Sequence, residues 1–137
     1  MSTSFWGGCA CGAIRYEIVG EPVFQNHCQC LDCQKVSGTG HGSYLSFMGQ
    51  SAAKITGKAT EWSVAADSAN DKAYAFCPTC GSSVYATFSA MPELIAMAAA
   101  SLDDPSQFRP EALTYGVRGH TWDPLDPELQ HFERMPS

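Results

Sequence analysis

Basic residues and long apolar runs are both scarce in this sequence. Only 8 of the 137 residues are Lys or Arg, against 14 Asp and Glu, and the formal net charge is −6. Like charges form no run, so the basic stripe that is typical of nucleic-acid-binding proteins is absent. The longest apolar run, residues 94–100, is also far shorter than the roughly 20 residues that cross a membrane. We therefore expect neither a nucleic-acid nor a membrane partner.

Charged residues of both signs are few, at 16%, whereas hydrophobic residues make up 45% of the chain. Intrinsic disorder needs the opposite balance, so this composition excludes it. The length suits one compact domain, and neither a repeat nor a linker interrupts residues 1–137. Residues 1–8 lack the basic leader and apolar stretch of a signal peptide. We expect a single cytoplasmic domain.

Short segments that alternate between apolar and polar residues recur along the chain, separated by Gly, Pro, Asn and Asp. In residues 13–19, for example, Ile14, Tyr16 and Ile18 share one face. This pattern predicts a mainly β fold with little helix. The predicted strands are 13–19, 43–48, 60–64, 72–76, 83–88 and 112–117, with a hairpin loop at 67–71.

One further segment fits two predictions. Residues 94–101 are rich in alanine and follow Pro92, a combination that favours a helix by propensity. A buried strand also reads as a continuous apolar run, and small alanine side chains suit a crowded sheet. The residues alone leave both helix and strand open.

Seven cysteines are the most informative feature of the chain. In a reducing compartment, cysteines are more often metal ligands or catalytic thiols than disulfides. An odd number also cannot pair completely within one chain. The cysteines fall into three clusters: Cys9 and Cys11; Cys28, Cys30 and Cys33; Cys77 and Cys80.

The Cys77-Pro-Thr-Cys80-Gly81 cluster is typical of a metal-binding knuckle, in which a glycine permits the tight turn. A redox dithiol is the alternative, but the βαβ surroundings of such a motif are absent. A structural zinc requires four ligands, and Cys9 and Cys11, in a similar glycine-flanked turn, are the most natural second pair. Joining residues 11 and 77 would stabilise the fold by about 4 kcal/mol, by analogy with a disulfide loop of that size. Loss of this metal should unfold the domain.

The remaining cluster, Cys28, Cys30 and Cys33, offers three ligands to a second ion. Zinc held by three protein ligands keeps a position free for water or substrate, as in catalytic sites. His27 or His41 could instead complete the set and make the site structural. His41 is the better candidate of the two, because Gly38, Gly40 and Gly42 leave it room. The open, catalytic site is the favoured prediction.

Three motifs together resemble one family: Gly8-Cys-Ala-Cys-Gly-Ala-Ile-Arg-Tyr16, His27-Cys-Gln-Cys-Leu-Asp-Cys-Gln-Lys-Val-Ser-Gly38 and Phe76-Cys-Pro-Thr-Cys-Gly81. The order and spacing are similar to those of the glutathione-dependent formaldehyde-activating enzymes. The resemblance implies a β-tent fold of small antiparallel sheets pinned by zinc, and it favours a strand at 94–101. It also implies a structural zinc on Cys9, Cys11, Cys77 and Cys80 and a catalytic zinc on Cys28, Cys30 and Cys33.

The activity that this resemblance implies is that of a carbon–sulfur lyase that joins glutathione to formaldehyde, or reverses that addition. A thiol bound at the open zinc position would become a thiolate and attack a carbonyl carbon. We expect Lys35 to balance the negative charge of the sulfur cluster, with Arg15 a weaker candidate. His41 would donate a proton to the developing alkoxide.

Both residues also have an interpretation without any functional role. Lys35 could be a solvated surface lysine, and His41 an ordinary polar loop residue. The segment 39–42 departs from the family pattern, in which larger apolar residues are common there. A module that carries a small thiol without turning it over, or a domain whose two zinc ions only support a protein interface, are the alternative functions.

Overall fold

The computed structural model describes residues 3–49, 53–65 and 71–136. These residues form one α-helix, α1 (Leu31–Ser37), and eleven strands. The strands are β1 (Ser4–Gly8), β2 (Arg15–Val19), β3 (Phe24–Cys28), β4 (Gly42–Met48), β5 (Lys54–Thr56), β6 (Thr60–Ala65), β7 (Asp71–Phe76), β8 (Ser83–Phe88), β9 (Leu94–Ala98), β10 (Ala112–Thr114) and β11 (Gln130–His131). Single 3₁₀ turns lie at Ala99–Ser101, Pro105–Gln107 and Gly116–Arg118.

The strands form two sheets. A three-stranded antiparallel sheet has the order β1-β2-β5, and an eight-stranded sheet has the order β11-β10-β3-β4-β9-β8-β7-β6. Strand β10 is parallel to both β3 and β11, whereas the other pairs in the large sheet are antiparallel. The predicted mainly β fold is confirmed. No helix within the described ranges is long and apolar enough to cross a membrane.

Alternation along the strands divides the large sheet into two faces. One face packs against the three-stranded sheet and forms the main core, in which the Phe5 and Phe47 rings meet edge to face at 5.1 Å. The opposite face carries a second cluster: Cys28, Cys33, Tyr74, Ala86, Ala96 and Tyr115. Because side chains alternate along a strand, neighbouring residues such as His27 and Cys28 belong to opposite faces.

The segment 94–101 is a strand followed by a turn. Residues Leu94–Ala98 form β9 between β4 and β8, and the next three residues form a 3₁₀ turn. The strand expected from the family resemblance is thus found over 94–98. The helix favoured by alanine propensity is wrong, because neighbours on both sides bury Ile95 to Ala98 and supply their backbone hydrogen bonds.

Two of the predicted strands are longer than the strands in the structure. The strand predicted at 112–117 ends at Thr114, because Tyr115 adopts a left-handed conformation (φ 56°) and a 3₁₀ turn follows. The strand predicted at 13–19 starts only at Arg15, after a turn. Strands β6 and β7 pair as a hairpin, while residues 66–70 of the predicted 67–71 loop lie outside the described residues. Four short strands and helix α1 were not predicted.

Candidate metal centres

The first cysteine cluster joins two hairpin turns from different sheets. Cys9 and Cys11 lie in the β1–β2 turn, and Cys77 and Cys80 lie in the β7–β8 turn. Each turn closes with a backbone hydrogen bond, Gly12 N to Cys9 O at 3.2 Å and Gly81 N to Cys77 O at 2.8 Å. Both glycines have positive φ values, 82° and 78°, which other residues adopt only with strain.

The four sulfur atoms of this cluster all lie within 4.8 Å of one another. The Cys9–Cys11 and Cys11–Cys77 sulfur separations are 3.6 and 3.7 Å. Four thiolates around a tetrahedral ion with bonds of about 2.3 Å would be about 3.8 Å apart. Hydrogen bonds from Ser82 lower the pKa of the Cys80 thiol to about 5, which favours the thiolate form that metals bind. The set fits one metal ion.

The second cluster forms where β3 ends and α1 begins. Cys28 is the last residue of β3, Cys30 caps the N-terminus of α1, and Cys33 lies in the first turn of the helix. The three sulfurs also lie within 4.8 Å of one another. Cys28 and Cys33 are buried, whereas Cys30 is half-buried. Solvent therefore reaches this cluster at Cys30, and the three sulfurs could hold a second ion.

Side chains from the large sheet surround this second cluster. The Lys72 Nζ lies 3.8 Å from the Cys30 sulfur and 3.9 Å from the Cys33 sulfur. The Tyr74 hydroxyl lies 3.0 Å from Lys72 Nζ and 3.3 Å from the Cys33 sulfur. The Tyr44 hydroxyl donates to the same sulfur at 3.6 Å. One ammonium group and two hydroxyl groups therefore contact the cysteines.

The protonation of the second cluster follows from these contacts. Hydrogen bonds from Cys28 and Cys33 lower the pKa of the Cys30 thiol far below its ordinary value, while the same network raises the pKa of Cys28. Burial alone would lower the pKa of Lys72, but the nearby thiolates reverse this effect and raise it. These shifts favour a Lys72 cation beside a Cys30 thiolate.

Lys35 lies elsewhere. It is exposed on α1, two residues after Cys33. Residues two apart on a helix are about 200° apart around its axis and do not face each other. We expected Lys35 beside the cysteines because it is close to Cys33 in the sequence. The helix places the two side chains on different sides of its axis. The lysine in contact with the sulfurs is Lys72.

His27 and His41 pack against each other, with ring centroids 4.8 Å apart. The His41 Nδ1 lies 2.7 Å from Asp123 Oδ2, and the His27 Nδ1 lies 2.7 Å from the Ser43 hydroxyl oxygen. Burial, followed by the nearby His41, lowers the pKa of His27 to about 4. Among the residues that the structure describes, neither imidazole joins the three sulfurs of Cys28, Cys30 and Cys33 as a ligand group.

Two cavities adjoin the second cluster. A small apolar cavity of about 70 Å³ is lined by Cys28, Cys33, Tyr44 and Tyr74 among others. An open cleft of about 170 Å³ lies on the Cys30 side. Cysteines of the second cluster line both cavities, Cys28 and Cys33 the first and Cys30 the second.

A larger pocket of about 810 Å³ lies beside the four-cysteine cluster. Its polar side chains already have partners: Arg15 forms an ion pair with Asp103, and the His41 imidazole contacts the Asp123 carboxylate. None of the three cysteines of the second cluster lines it. Size alone therefore does not identify the site of chemistry, and the smaller cavities are the better candidates.

Sequence reasoning identified the cysteines but missed Lys72, Tyr74 and Tyr44. These residues come from β7 and β4, distant in the chain from residues 28–33. One signal was present in the sequence: alternation within 72–76 puts Lys72 and Tyr74 on the same face of a strand. A lysine on a buried face of a strand needs a partner, because lysine is almost never fully buried unless it is paired.

The chain is similar to known proteins in its sequence family and in its fold. The family model described as "Glutathione-dependent formaldehyde-activating enzyme" matches residues 4–118. No curated protein matches the chain. A solved structure of a Rhodobacter sphaeroides protein, a Northeast Structural Genomics target, is similar with a TM-score of 0.60 and 19% identity. The match covers 80% of this chain and 99% of that chain, and at this identity it shows the fold alone.

Proposed function

This chain belongs to the glutathione-dependent formaldehyde-activating enzyme family, and on that basis we propose that it is a zinc-dependent carbon–sulfur lyase. Its substrate would be the adduct of a small thiol and an aldehyde, such as S-hydroxymethylglutathione, formed or cleaved reversibly. The observation that carries the proposal is the three-cysteine cluster, which is accessible at Cys30 and contacted by Lys72 and Tyr74.

The residues of both clusters fit zinc. Thiolates are the ligands that structural zinc prefers, and four of them form the first cluster at tetrahedral separations. We assign a structural ion to Cys9, Cys11, Cys77 and Cys80. The second ion would be held by Cys28, Cys30 and Cys33, leaving one position for the substrate. Bound there, zinc would supply a site at which the substrate thiol loses its proton.

Lys72 balances the charge of the cysteine thiolates. Unpaired charge is costly to bury, and Lys72 Nζ lies within 4 Å of two sulfurs. We assign this role to Lys72 rather than to Lys35, because Lys72 is in contact with the cluster. Its position also favours a second negative group, the substrate thiolate, close to the cysteines.

Tyr74 supplies the hydrogen bond that the aldehyde oxygen needs. In the proposed addition, the thiol gives up its proton to solvent and its sulfur forms a bond to the carbonyl carbon. The carbonyl oxygen takes the π electron pair of the C=O bond and then a proton from solvent. The Tyr74 hydroxyl lines the small cavity beside Cys33 and can donate to that oxygen. Tyr44 lines the same cavity, and its hydroxyl is a second possible donor. Cleavage is the same step in reverse.

We assign the donor role to Tyr74 rather than to His41. The Nδ1 of His41 is engaged by Asp123, and its ring packs on His27. His27 alternates with Cys28 along β3, so this pair of rings belongs to the opposite face of the sheet. The His41–Asp123 pair instead ties the segment after the last 3₁₀ turn to the start of β4.

The decisive experiment measures adduct formation from glutathione and formaldehyde on the zinc-loaded protein. Exchange NMR follows the rate of appearance of S-hydroxymethylglutathione above the uncatalysed background. Replacing Tyr74→Phe should lower the rate by about a hundredfold, as expected for removal of one donor to a developing oxyanion. Tyr85→Phe, on the neighbouring strand and the other face, is the matched control and should keep the wild-type rate.

Two results would contradict the proposal. A wild-type rate equal to the background would indicate a thiol-carrying or structural module. Equal rates for the Tyr74→Phe and wild-type proteins would remove Tyr74 from the mechanism while leaving the lyase activity in place.

A further inference from the structure

The open cleft on the Cys30 side is the route by which a molecule from solvent reaches the half-buried sulfur. Its volume is about 170 Å³, and its lining includes Cys30, Asp32, Lys72, Tyr115 and Arg118. Pockets that enclose a whole drug-sized ligand are roughly 300–1,000 Å³. The cleft therefore has room for one arm of a substrate, with the rest of the molecule in solvent.

The two cations of the cleft differ in whether they have partners. Lys72 contacts the two sulfurs and the Tyr74 hydroxyl. Arg118 is exposed, and across the described ranges its guanidinium forms no ion pair, not even with Asp32 in the same cleft. A guanidinium binds a carboxylate through two parallel hydrogen bonds. Arg118 thus remains available to an anionic ligand.

The backbone of Arg118 is fixed relative to the cysteines. The Gln34 side chain on α1 donates from Nε2 to the carbonyl oxygens of Arg118 at 3.0 Å and of Gln29 at 2.8 Å. The Gln34 Oε1 in turn lies 2.8 Å from His120 Nε2. Helix α1 also carries Cys33 and is capped by Cys30, so one helix positions both the sulfurs and the arginine.

A strained residue precedes this arginine. Tyr115 is buried and lines the cleft, yet it has a φ of 56°, a conformation that costs a bulky residue roughly 1–3 kcal/mol. Such strain persists where the surrounding structure determines it, and it is common at ligand sites. Here it ends β10 and turns the chain so that Arg118 reaches the lining of the cleft.

We propose that Arg118 determines specificity by binding a carboxylate on the substrate thiol. This inference rests on the proposed function, since it names the class of thiol that the same site accepts: a small thiol with a carboxylate on a short arm. The carboxylate lies against Arg118 while the sulfur approaches the three-cysteine cluster past Cys30. Arg118 also offsets the repulsion between an anionic substrate and the cysteine thiolates.

The test compares thiols of similar size and different charge on the zinc-loaded protein. The series is 3-mercaptopropionate, 2-mercaptoethanol and cysteamine, each with formaldehyde. Wild type should prefer the anionic thiol, and Arg118→Gln should lower the ratio of kcat/KM for 3-mercaptopropionate over 2-mercaptoethanol by about ten- to a hundredfold, mainly through KM. Arg118→Lys should restore part of the preference. Arg109→Gln, an exposed arginine outside the cleft, is the control and should leave the ratio unchanged.

Calorimetric binding of the same thiols, without aldehyde, separates this inference from the proposed function. If no thiol is turned over but 3-mercaptopropionate binds in an Arg118-dependent way, the lyase proposal fails and the carboxylate site stands. If Arg118→Gln weakens the binding of all three thiols equally, the residue has only a structural role and the inference is overturned. Undetectable binding of the anionic thiol to wild type would overturn it as well.

Discussion

The two cysteine clusters should differ sharply in how much each stabilises the fold. A metal on the first cluster closes a loop from residue 11 to residue 77 and joins hairpins of two different sheets. The chain-entropy relation for cross-links gives about 4 kcal/mol for a loop of that length. A metal on Cys28, Cys30 and Cys33 closes only residues 28–33, for which the same relation gives about 2 kcal/mol. Cys77→Ser should therefore destabilise more than Cys30→Ser, by about 2 kcal/mol.

Two measurements on the zinc-saturated proteins test this difference. Elemental analysis should find two ions per chain in wild type and one in a folded Cys30→Ser protein. Denaturant unfolding should show a lower midpoint for Cys77→Ser, which retains the second cluster, or no folded protein at all. The reasoning is refuted if Cys30→Ser unfolds the domain while Cys77→Ser leaves it as stable as wild type.

Three further predictions concern single side chains. Lys72→Met should weaken zinc binding at the second cluster by about tenfold in competition with a chromophoric chelator, whereas Lys35→Met, on the exposed side of α1, should not. Met97→Ala in the fully buried core should lower the free energy of unfolding by about 2–5 kcal/mol, measured in denaturant, and a smaller loss would contradict the packing. Gly40→Ala should cost about 1–3 kcal/mol, because the new Cβ would overlap the Asp123 carboxylate, and unchanged stability would show that this segment is free to move.

The cysteine clusters could be recognised from the sequence because their ligands come in short, local groups. A Cys-x-x-Cys-Gly or Cys-x-Cys-Gly turn is defined by adjacent residues, and the glycines at 12 and 81 do take the positive φ that such turns require. Strand alternation is local as well, which is why β2, β4 and β6 to β8 were found near their true positions. These features depend on few contacts from elsewhere in the chain.

The rest of the site depends on contacts between distant segments. Closeness in sequence to Cys33 suggested Lys35 as the cation beside the sulfurs, but helix α1 directs Lys35 away from Cys33. The lysine that contacts Cys33 is Lys72, which lies on strand β7. Tyr115 could not be predicted in a left-handed conformation, because glycine and asparagine are the residues that favour it. Alanine propensity failed at β9 for the same reason, since two neighbouring strands decide its structure.

Strand β7 connects the two cysteine clusters. Lys72 and Tyr74 lie on β7 and contact the second cluster. Cys77 comes directly after the last residue of β7 and belongs to the first cluster. A one-residue slip of a strand moves all of its side chains to the other face, which here would carry Lys72 and Tyr74 away from Cys33. The ladder with β8 shifts register between Ala75 and Phe76, whereas the ladder with β6 runs without a shift from Asp71 to Phe76. A metal on the first cluster would add a further constraint, because it would tie Cys77 to the β1–β2 turn. Such a metal would therefore do more than stabilise the domain: it would help to hold Lys72 and Tyr74 in place beside the second cluster.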